Sequence, residues 1–454
     1  MIRFIDRIDE TRVLEKDWNS QENAFIVVFG RRRIGKTRLL DNFLQNKDGA
    51  RYTAEDTNKR IQINEFKSIL ASYLHDDFLL KQDILDWGSL FSYLSKVLDK
   101  KKRIYIWIDE FSYLIKNDHS ITSVLQKFID DFIRNSNVFF IVSGSIYGLM
   151  SQEVLSHSSP LYGRRTRDLL LKPIPARYCM EFLPFDFEDS IKTICTLNGI
   201  PEYLNVASKH KSYEEFILNE FFKPEGYFYR EPFYLLSQEF KEIRTYFSIL
   251  NAIAYGNSKP TEIANFVGIN AREIYPYLEL LIGYGFVARE TSILGDRKKG
   301  VYYISDNFFD FWFNFVHKNR ENIERGYYKL IKKDLNDYFG RRFEVFVREN
   351  FLSFFRGYEH SGRWWWKDKE IDVVALNEQT KEILFAECKW KDDVNVHDVF
   401  KELNEKAKYA DWNGENRKES FAVFAKSFKK KINEFEGKKV HCFDLKDIEK
   451  SLKK

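Results

Sequence analysis

Long apolar runs are missing from this 454-residue chain, as are paired cysteines, a leader-like start and a large excess of either charge. No stretch approaches the roughly 18 uninterrupted apolar residues of a membrane-crossing helix. The four cysteines, Cys179, Cys195, Cys388 and Cys442, are scattered without CxxC spacing. Neither a zinc ribbon nor a disulfide framework is indicated, and reduced, structural thiols are expected. The opening Met1-Ile2-Arg3-Phe4-Ile5-Asp6 does not have the shape of a secretory leader, so the expected compartment is the cytoplasm. Lysine and arginine outnumber aspartate and glutamate by only 4, too few for net charge to mark a nucleic-acid binder.

What is present describes a globular chain. Hydrophobic residues make up 44% and charged residues 31%, and the length predicts about three domains rather than one core. Aromatics reach 17%, with 42 Phe, which points to thick cores more than to stacking platforms. Positive charge is local instead of global: Arg31 to Arg33, Arg164 to Arg167, Arg297 to Lys299 and Lys429 to Lys431.

The most specific stretch is Gly30-Arg31-Arg32-Arg33-Ile34-Gly35-Lys36-Thr37, preceded by Phe25-Ile26-Val27-Val28-Phe29 and followed by Arg38-Leu39-Leu40. It reads as strand, glycine loop and helix with G-x-x-x-x-G-K-T spacing, the pattern of a phosphate-binding loop. The glycines let backbone N–H groups curl around phosphate oxygens, Lys36 can reach the β and γ phosphates, and the Thr37 hydroxyl can hold Mg²⁺. The expected nucleotide cradle is Gly30, Arg33, Ile34, Gly35, Lys36, Thr37 and Arg38, with ATP and Mg²⁺ as ligands.

Before it, Phe4 to Leu14 predicts an entry turn and a short amphipathic helix. After it, Ala50 to Ala54 predicts a strand, and Ile61 to Asp99 carries helical spacing in Phe66, Ile69, Leu70, Tyr73 and Leu74. Arg103 to Glu110 is then an apolar strand ending in two carboxylates. A buried parallel strand would deliver them to the edge where the loop opens, Asp109 for Mg²⁺ and Glu110 for the attacking water. Asn137 to Ser145 is a further buried strand. Ser143 or Ser145 either senses the γ-phosphate or simply makes a turn.

These residues carry a resemblance. Gly30 to Thr37, Ile106 to Phe111, Val142 to Ser145, Ser159 to Thr166 and Asn198 to Leu204 resemble the archaeal-type ATPase family, P-loop proteins of the AAA+/STAND group. The resemblance implies an arginine near the γ-phosphate, Arg164 or Arg165, and a helical lid in which Gly199-Ile200-Pro201 lies beside the adenine. Asn198 stands where the family more often has a glycine.

From Phe240 to Ser305 the pattern changes. Ile249-Leu250 with Ile253-Ala254 marks one helix, Pro260 to Ala264 a second and Asn270 to Tyr284 a third. Gly285 to Glu290 and Lys299 to Ile304 then form a hairpin, giving a helix-turn-helix with a wing. Asn270, Arg272 and Glu273 are its candidate base readers, and Arg297, Lys298 and Lys299 the candidate phosphate contacts, with Pro276 interrupting the third helix. DNA contact and a packing role are equally open readings. Asp306 to Phe313 reads as core.

A helical connection near Arg320 to Leu335 leads to an amphipathic helix from Tyr338 through Phe351, which carries Glu344. Lys369 to Leu376 and Ile383 to Trp390 form a strand pair joined by Asn377 to Lys381. Glu387 and Lys389 are two apart and share a face. With Asp372 they spell D…E-x-K, which resembles the PD-(D/E)XK nuclease fold, with Ile371 where the eponymous motif has proline. The resemblance implies that Asp372 and Glu387 ligate Mg²⁺, Glu344 assists, and Lys389 positions water or stabilises phosphate charge. Arg363-Trp364-Trp365-Trp366-Lys367 either stacks on bases or faces the core.

The expected architecture is multidomain α/β. Residues 1–175 form a P-loop NTPase parallel sheet, 176–236 a helical lid, 237–318 a winged helix and 319–454 an α/β restriction-endonuclease-like domain. The expected function is an ATP-hydrolysing switch coupled to a Mg²⁺-dependent nuclease-like domain acting on nucleic acid, DNA ahead of RNA, with a homo-oligomer open. The alternatives are a non-cleaving signalling or scaffold ATPase and a nucleotide-dependent DNA-binding regulator.

Overall fold

Strand β1, Ala24–Phe29, holds no polar residue, and all six of its residues are buried, as expected of a strand covered on both faces. In the computed structural model, which describes residues 4–296, 298–328 and 334–453, it lies inside a five-stranded sheet. Its companions are β2 (Gly49–Thr53), β3 (Tyr105–Asp109), β4 (Phe139–Gly144) and β5 (Arg167–Leu170), in the order β2-β3-β4-β1-β5. Every neighbouring pair is parallel. Parallel strands end at one edge, and the register sets Phe29 beside Gly144 and Thr53 beside Asp109. The glycine loop, Asp109 and the Ser143 to Ser145 segment therefore open on the same side.

The long helical stretch after β2 is three helices, Lys59–Leu74, Asp77–Lys81 and Trp87–Val97. Each is started by a capping side chain: Asn58 accepts from the Ile61 N–H, Asp76 from Leu79 and Asp86 from Ser89. The first helix of the chain, Ile8–Asn19, follows Arg7, whose buried guanidinium donates to the carbonyls of Ile34 (3.0 Å) and Lys172 (2.8 Å). The glycine loop is thus held from beneath by a residue far upstream.

The chain divides into two units: Met1–Ile174 with Ile200–Glu202 and Ser237–Lys241, and Pro175–Gly199 with Tyr203–Leu236 and Glu242–Lys454. The second unit contains helices Ile243–Ala254, Pro260–Val267 and Ile274–Gly283, then a hairpin of β6 (Val287–Glu290) and β7 (Val301–Ile304). The third helix corrects the sequence expectation. It starts at Ile274, because the Asn270 side chain accepts from the Arg272 N–H and closes a turn first. Asn270, Arg272 and Glu273 therefore precede the helix, and Pro276 sits in its first turn, where no amide donor is needed, without interrupting it. Arg297 lies outside the described residues. The hairpin loop is a packing element: Ile293 N–H donates to Arg363 O (3.0 Å), and the Ser292 hydroxyl bonds both ways with the Trp365 backbone. Phe308, Phe309, Phe311 and Trp312 are core, as expected. The connection after them includes helix Arg320–Glu324, while residues 329–333 lie outside the described residues.

Helix Leu335–Glu349 precedes a second sheet, whose order is β14-β15-β12-β10-β9-β8. Its strands are β8 (His360–Trp366), β9 (Lys369–Asn377), β10 (Glu382–Lys389), β12 (Lys418–Ala425), β14 (Glu434–Phe435) and β15 (Lys438–Phe443). Strands β8, β9 and β10 form an antiparallel meander; β10, β12 and β15 run parallel. Helix Val396–Ala407 connects β10 to β12, while β11 (Val394–Asn395) and β13 (Phe428–Lys430) pair separately. Along β8 the three tryptophans divide their tasks: Trp364 is core, Trp365 is tied to Ser292, and Trp366 is exposed.

Candidate functional site

In the first unit, two glycines make the loop possible. Gly30 has φ +147°, and a Cβ there would stand 2.8 Å from the Leu171 carbonyl oxygen; Gly35 has φ +92°. Lys36, almost fully buried, donates to the carbonyls of Gly30 (2.9 Å) and Arg31 (3.1 Å). Pro201 is brought to the loop, its Cγ 3.8 Å from where a side chain on Gly35 would begin. Arg33 pairs with Glu202 (3.1 Å), Ile34 is fully buried, and Arg38 is exposed on the following helix.

The strand order β3-β4-β1 explains the next layer. Because β4 separates the loop strand from the carboxylate strand, Ser143 on it and Ser145 just past its end reach sideways. The Ser143 hydroxyl donates to Asp109 Oδ1 (2.6 Å), and the Ser145 hydroxyl donates to Glu110 Oε1 (2.6 Å). Thr37 donates to Asp109 Oδ2 (3.1 Å), which the Arg51 guanidinium also meets at 2.9 Å. Glu110 adopts a left-handed backbone (φ 53°) where the strand turns into helix Phe111–Asn117. Its Oε2 is buried and makes no hydrogen bond, although the Glu110 charge is felt by Lys36 and Arg32. Arg164 and Arg165 are engaged elsewhere. Arg164 is paired with Asp130 (2.8 Å), and Arg165 with Asp168 (2.6 Å).

In the second unit, helix Leu335–Glu349, β9 and β10 bring together Glu344, Asp372 and Glu387. Asp372 Oδ2 accepts from the Cys388 N–H (2.8 Å), and Arg348 donates to the Asp372 carbonyl (3.0 Å). Burial, then Glu387 and Glu344, push the Asp372 carboxyl well above its usual range. Glu344 is pushed up to about 7, first by burial and further by Glu370 and Glu387, against the pull of Arg348 and Arg363. Glu387 Oε1 accepts from Lys389 (3.0 Å) and from Lys406 (2.9 Å) on the crossover helix, whereas its buried Oε2 has no hydrogen-bond partner. Burial lowers the Lys389 pKa, but Glu387 outweighs it and holds the ammonium above its ordinary value. A cavity of about 690 Å³ opens at Glu344, lined also by Arg341, Arg348, Arg363 and Glu290. Among the described residues, no three His, Cys, Asp or Glu side chains stand as a ready metal cage. Ammonium groups occupy one oxygen of Glu387, and the other is buried without a hydrogen-bond partner.

A family model described as the ATPase domain predominantly from Archaea matches residues 4–199. A second, described as Archaea bacterial proteins of unknown function, matches residues 312–406. The Methanocaldococcus jannaschii protein MJECL04 is 34% identical over 460 residues, covering 98% of this chain and 100% of the relative. The chain belongs to the archaeal-type ATPase family. The ATP-binding protein MJ0423 of the same organism is 43% identical over 47 residues, 10% of this chain and 80% of that protein. The Walker-type ATPase paby2304 of Pyrococcus abyssi superposes with a TM-score of 0.53 at 20% identity, covering 68% of this ATPase and 96% of that chain. That likeness extends to the fold.

Several residues of this ATPase's sites escape sequence reading. Arg7, Arg51 and Lys406 each contact their site from far along the chain, and Glu239 lies close enough to Lys36 to raise its proton affinity. Burial pushes Lys36 down to about 8 against the pull of Glu110, Glu239 and Asp109. Bound polyphosphate favours the ammonium form, so ATP binding takes up a proton where the free site has lost one. Affinity for ATP is expected to be flat below this value and to fall about tenfold per pH unit above it. Calorimetry in two buffers of different ionisation heat checks the uptake; pH-independent binding above 8 contradicts it.

Proposed function

We propose that this ATPase is a nucleotide-driven switch whose second unit carries a Mg²⁺-dependent phosphodiesterase site for nucleic acid. In the first unit, Lys36 engages the β and γ phosphates, Thr37 and Asp109 hold Mg²⁺, and Glu110 orients water through its unpartnered oxygen. Pro201 lies at the adenine. Arg164 or Arg165 reaches the γ-phosphate only after leaving its present carboxylate. Residues 1–175, 176–236, 237–318 and 319–454 then act as ATPase core, lid, winged helix and nuclease-like domain.

The observation that carries the second half is the buried, unpartnered Glu387 Oε2 amid Glu344, Asp372 and Lys389. A buried carboxylate oxygen without a donor costs free energy unless a cation meets it. Hard oxygen donors of this kind suit Mg²⁺, and Lys389 can stabilise the charge developing on phosphate. The antiparallel meander followed by a helical crossover to a parallel strand supports a restriction-endonuclease-like fold.

The test is cleavage of labelled single- and double-stranded DNA and RNA by the full chain with Mg²⁺ or Mn²⁺. Lys389→Ala is expected to lower the rate by about 10²-fold or more, while Lys36→Ala lowers only its ATP dependence. Absence of cleavage on every substrate and with either metal would leave the non-cleaving scaffold ATPase, a reading favoured by the two lysines that already neutralise Glu387.

A further inference from the structure

Three tryptophans in a row are a heavy aromatic load for one edge strand, and only the first is used by the core. Trp366 is 44% exposed. It shares a sheet face with Trp364, but Trp364 lies within the core packed by helix Val396–Ala407, whereas Trp366 stacks on Tyr409 beyond that helix's end. The ring centroids are 5.6 Å apart at 23°, and Tyr409 is 48% exposed. Lys367 Nζ stands 4.2 Å from the centre of Trp366, and Lys369 Nζ stands 4.8 Å from that of Tyr409. The result is a four-membered ladder of ammonium, indole, phenol and ammonium on the surface of the second unit.

Neither ammonium is paired with a carboxylate among the described contacts. Their positive charge rests against aromatic faces, a modest contact at an exposed site. Phosphate would serve them better, and the rings they would leave are flat, exposed and sequence-tolerant. Cation and aromatic interleaved in this way match an unpaired nucleobase with its flanking phosphates.

The ladder and the carboxylate site draw on neighbouring positions of β9 and of the crossover-helix region. Tyr409 follows by three residues Lys406, whose ammonium meets Glu387 at 2.9 Å. Lys369, opposite Trp366 in the β8–β9 register, precedes Asp372 by three residues on β9. At about 3.4 Å per residue that is roughly 10 Å of backbone, the length of about three base steps, with the odd spacing turning Lys369 and Asp372 to opposite faces of β9.

We infer that Trp366 and Tyr409 form a stacking platform for an unpaired base of single-stranded nucleic acid, with Lys367 and Lys369 taking its phosphates. This rests on the nuclease-like reading of the second unit and adds the form of the substrate: a strand with a free base a few nucleotides from the scissile bond.

The test is fluorescence anisotropy of the full chain with labelled oligothymidylate in EDTA, so that binding is read without cleavage. An oligouridylate of equal length reports the sugar, and an abasic strand reports phosphate contact alone. Trp366→Leu keeps an apolar cover on the core edge and removes the indole. It is expected to weaken oligothymidylate or oligouridylate binding roughly tenfold and to leave the abasic strand unaffected. Lys367→Glu with Lys369→Glu is expected to weaken all three and flatten the salt dependence. Wild-type binding to the base-bearing strands by Trp366→Leu, or an equal loss on the abasic strand with a lowered thermal midpoint, would overturn the platform. Cleavage by wild type alongside such a result would leave the nuclease reading standing. If wild type neither binds nor cleaves any strand, that reading falls and the platform with it.

Discussion

Lys36→Ala is expected to cut ATP turnover by about 10²–10³-fold with the chain still folded. Lys36 is the cation of the loop, already buried and held over the Gly30 and Arg31 carbonyls, so its removal withdraws charge from the place where phosphate charge develops. The alanine also leaves those two loop carbonyls without their donor, so a small loss of stability accompanies the large loss of rate. Glu110→Gln separates binding from hydrolysis. The amide keeps an acceptor for the Ser145 hydroxyl but loses the charge on the unpartnered Oε2. It should therefore bind ATP and turn it over slowly, whereas Lys36→Ala should do neither well. Phosphate release and nucleotide binding, measured on both variants, check the division of roles; equal turnover by Lys36→Ala and wild type contradicts it.

Asp372→Asn should gain stability while losing cleavage. Asp372 and Glu344 have folded pKa values raised above those of the unfolded chain. The stability they contribute is fully present below their unfolded values, near 4, and is lost as pH rises through the raised folded values. For Glu344 that window closes at about 7. At pH above these raised folded values the pair is ionised, buried and mutually repelling, and removing one charge should stabilise the fold by about 1–3 kcal/mol. Asparagine retains an oxygen for the Cys388 N–H, so the strand contact survives. The gain should shrink at the lower of two pH values, about 5 against about 9, as Asp372 and Glu344 take up protons in wild type as well. Urea melts at the two pH values measure it, and an asparagine variant less stable than wild type at the higher pH contradicts it.

Legibility in the sequence follows the distance over which a residue's role is set. The glycine loop is readable because its chemistry is complete within eight positions, and Asp109-Glu110 because a buried strand can only present carboxylates at its end. The meander of β9 and β10 and the shared face of Glu387 and Lys389 follow from alternation alone. Arg51 cannot be read this way: it reaches Asp109 through the β2–β3 register, 58 residues along. Lys406 meets Glu387 only because the crossover helix returns over the sheet. The sequence pattern starts the third helix of the middle region too early, since Asn270 closes a side-chain turn that resembles a helix cap in one dimension. The hairpin loop between β6 and β7 carries basic residues, but its Ser292 and Ile293 bind β8, a use that local charge does not reveal.

The proposed phosphodiesterase site requires that Glu344, Asp372 and Glu387 gather around a divalent cation, for which no ready cage stands among the described residues, independently of the nucleotide site. Mn²⁺ binding to the nucleotide-free chain, followed by electron paramagnetic resonance, tests it most directly. Wild type and Lys36→Ala should each take up one Mn²⁺, released by excess Mg²⁺, and Asp372→Asn should take up none. Binding by Asp372→Asn equal to wild type, or no binding by wild type without nucleotide, would contradict the account.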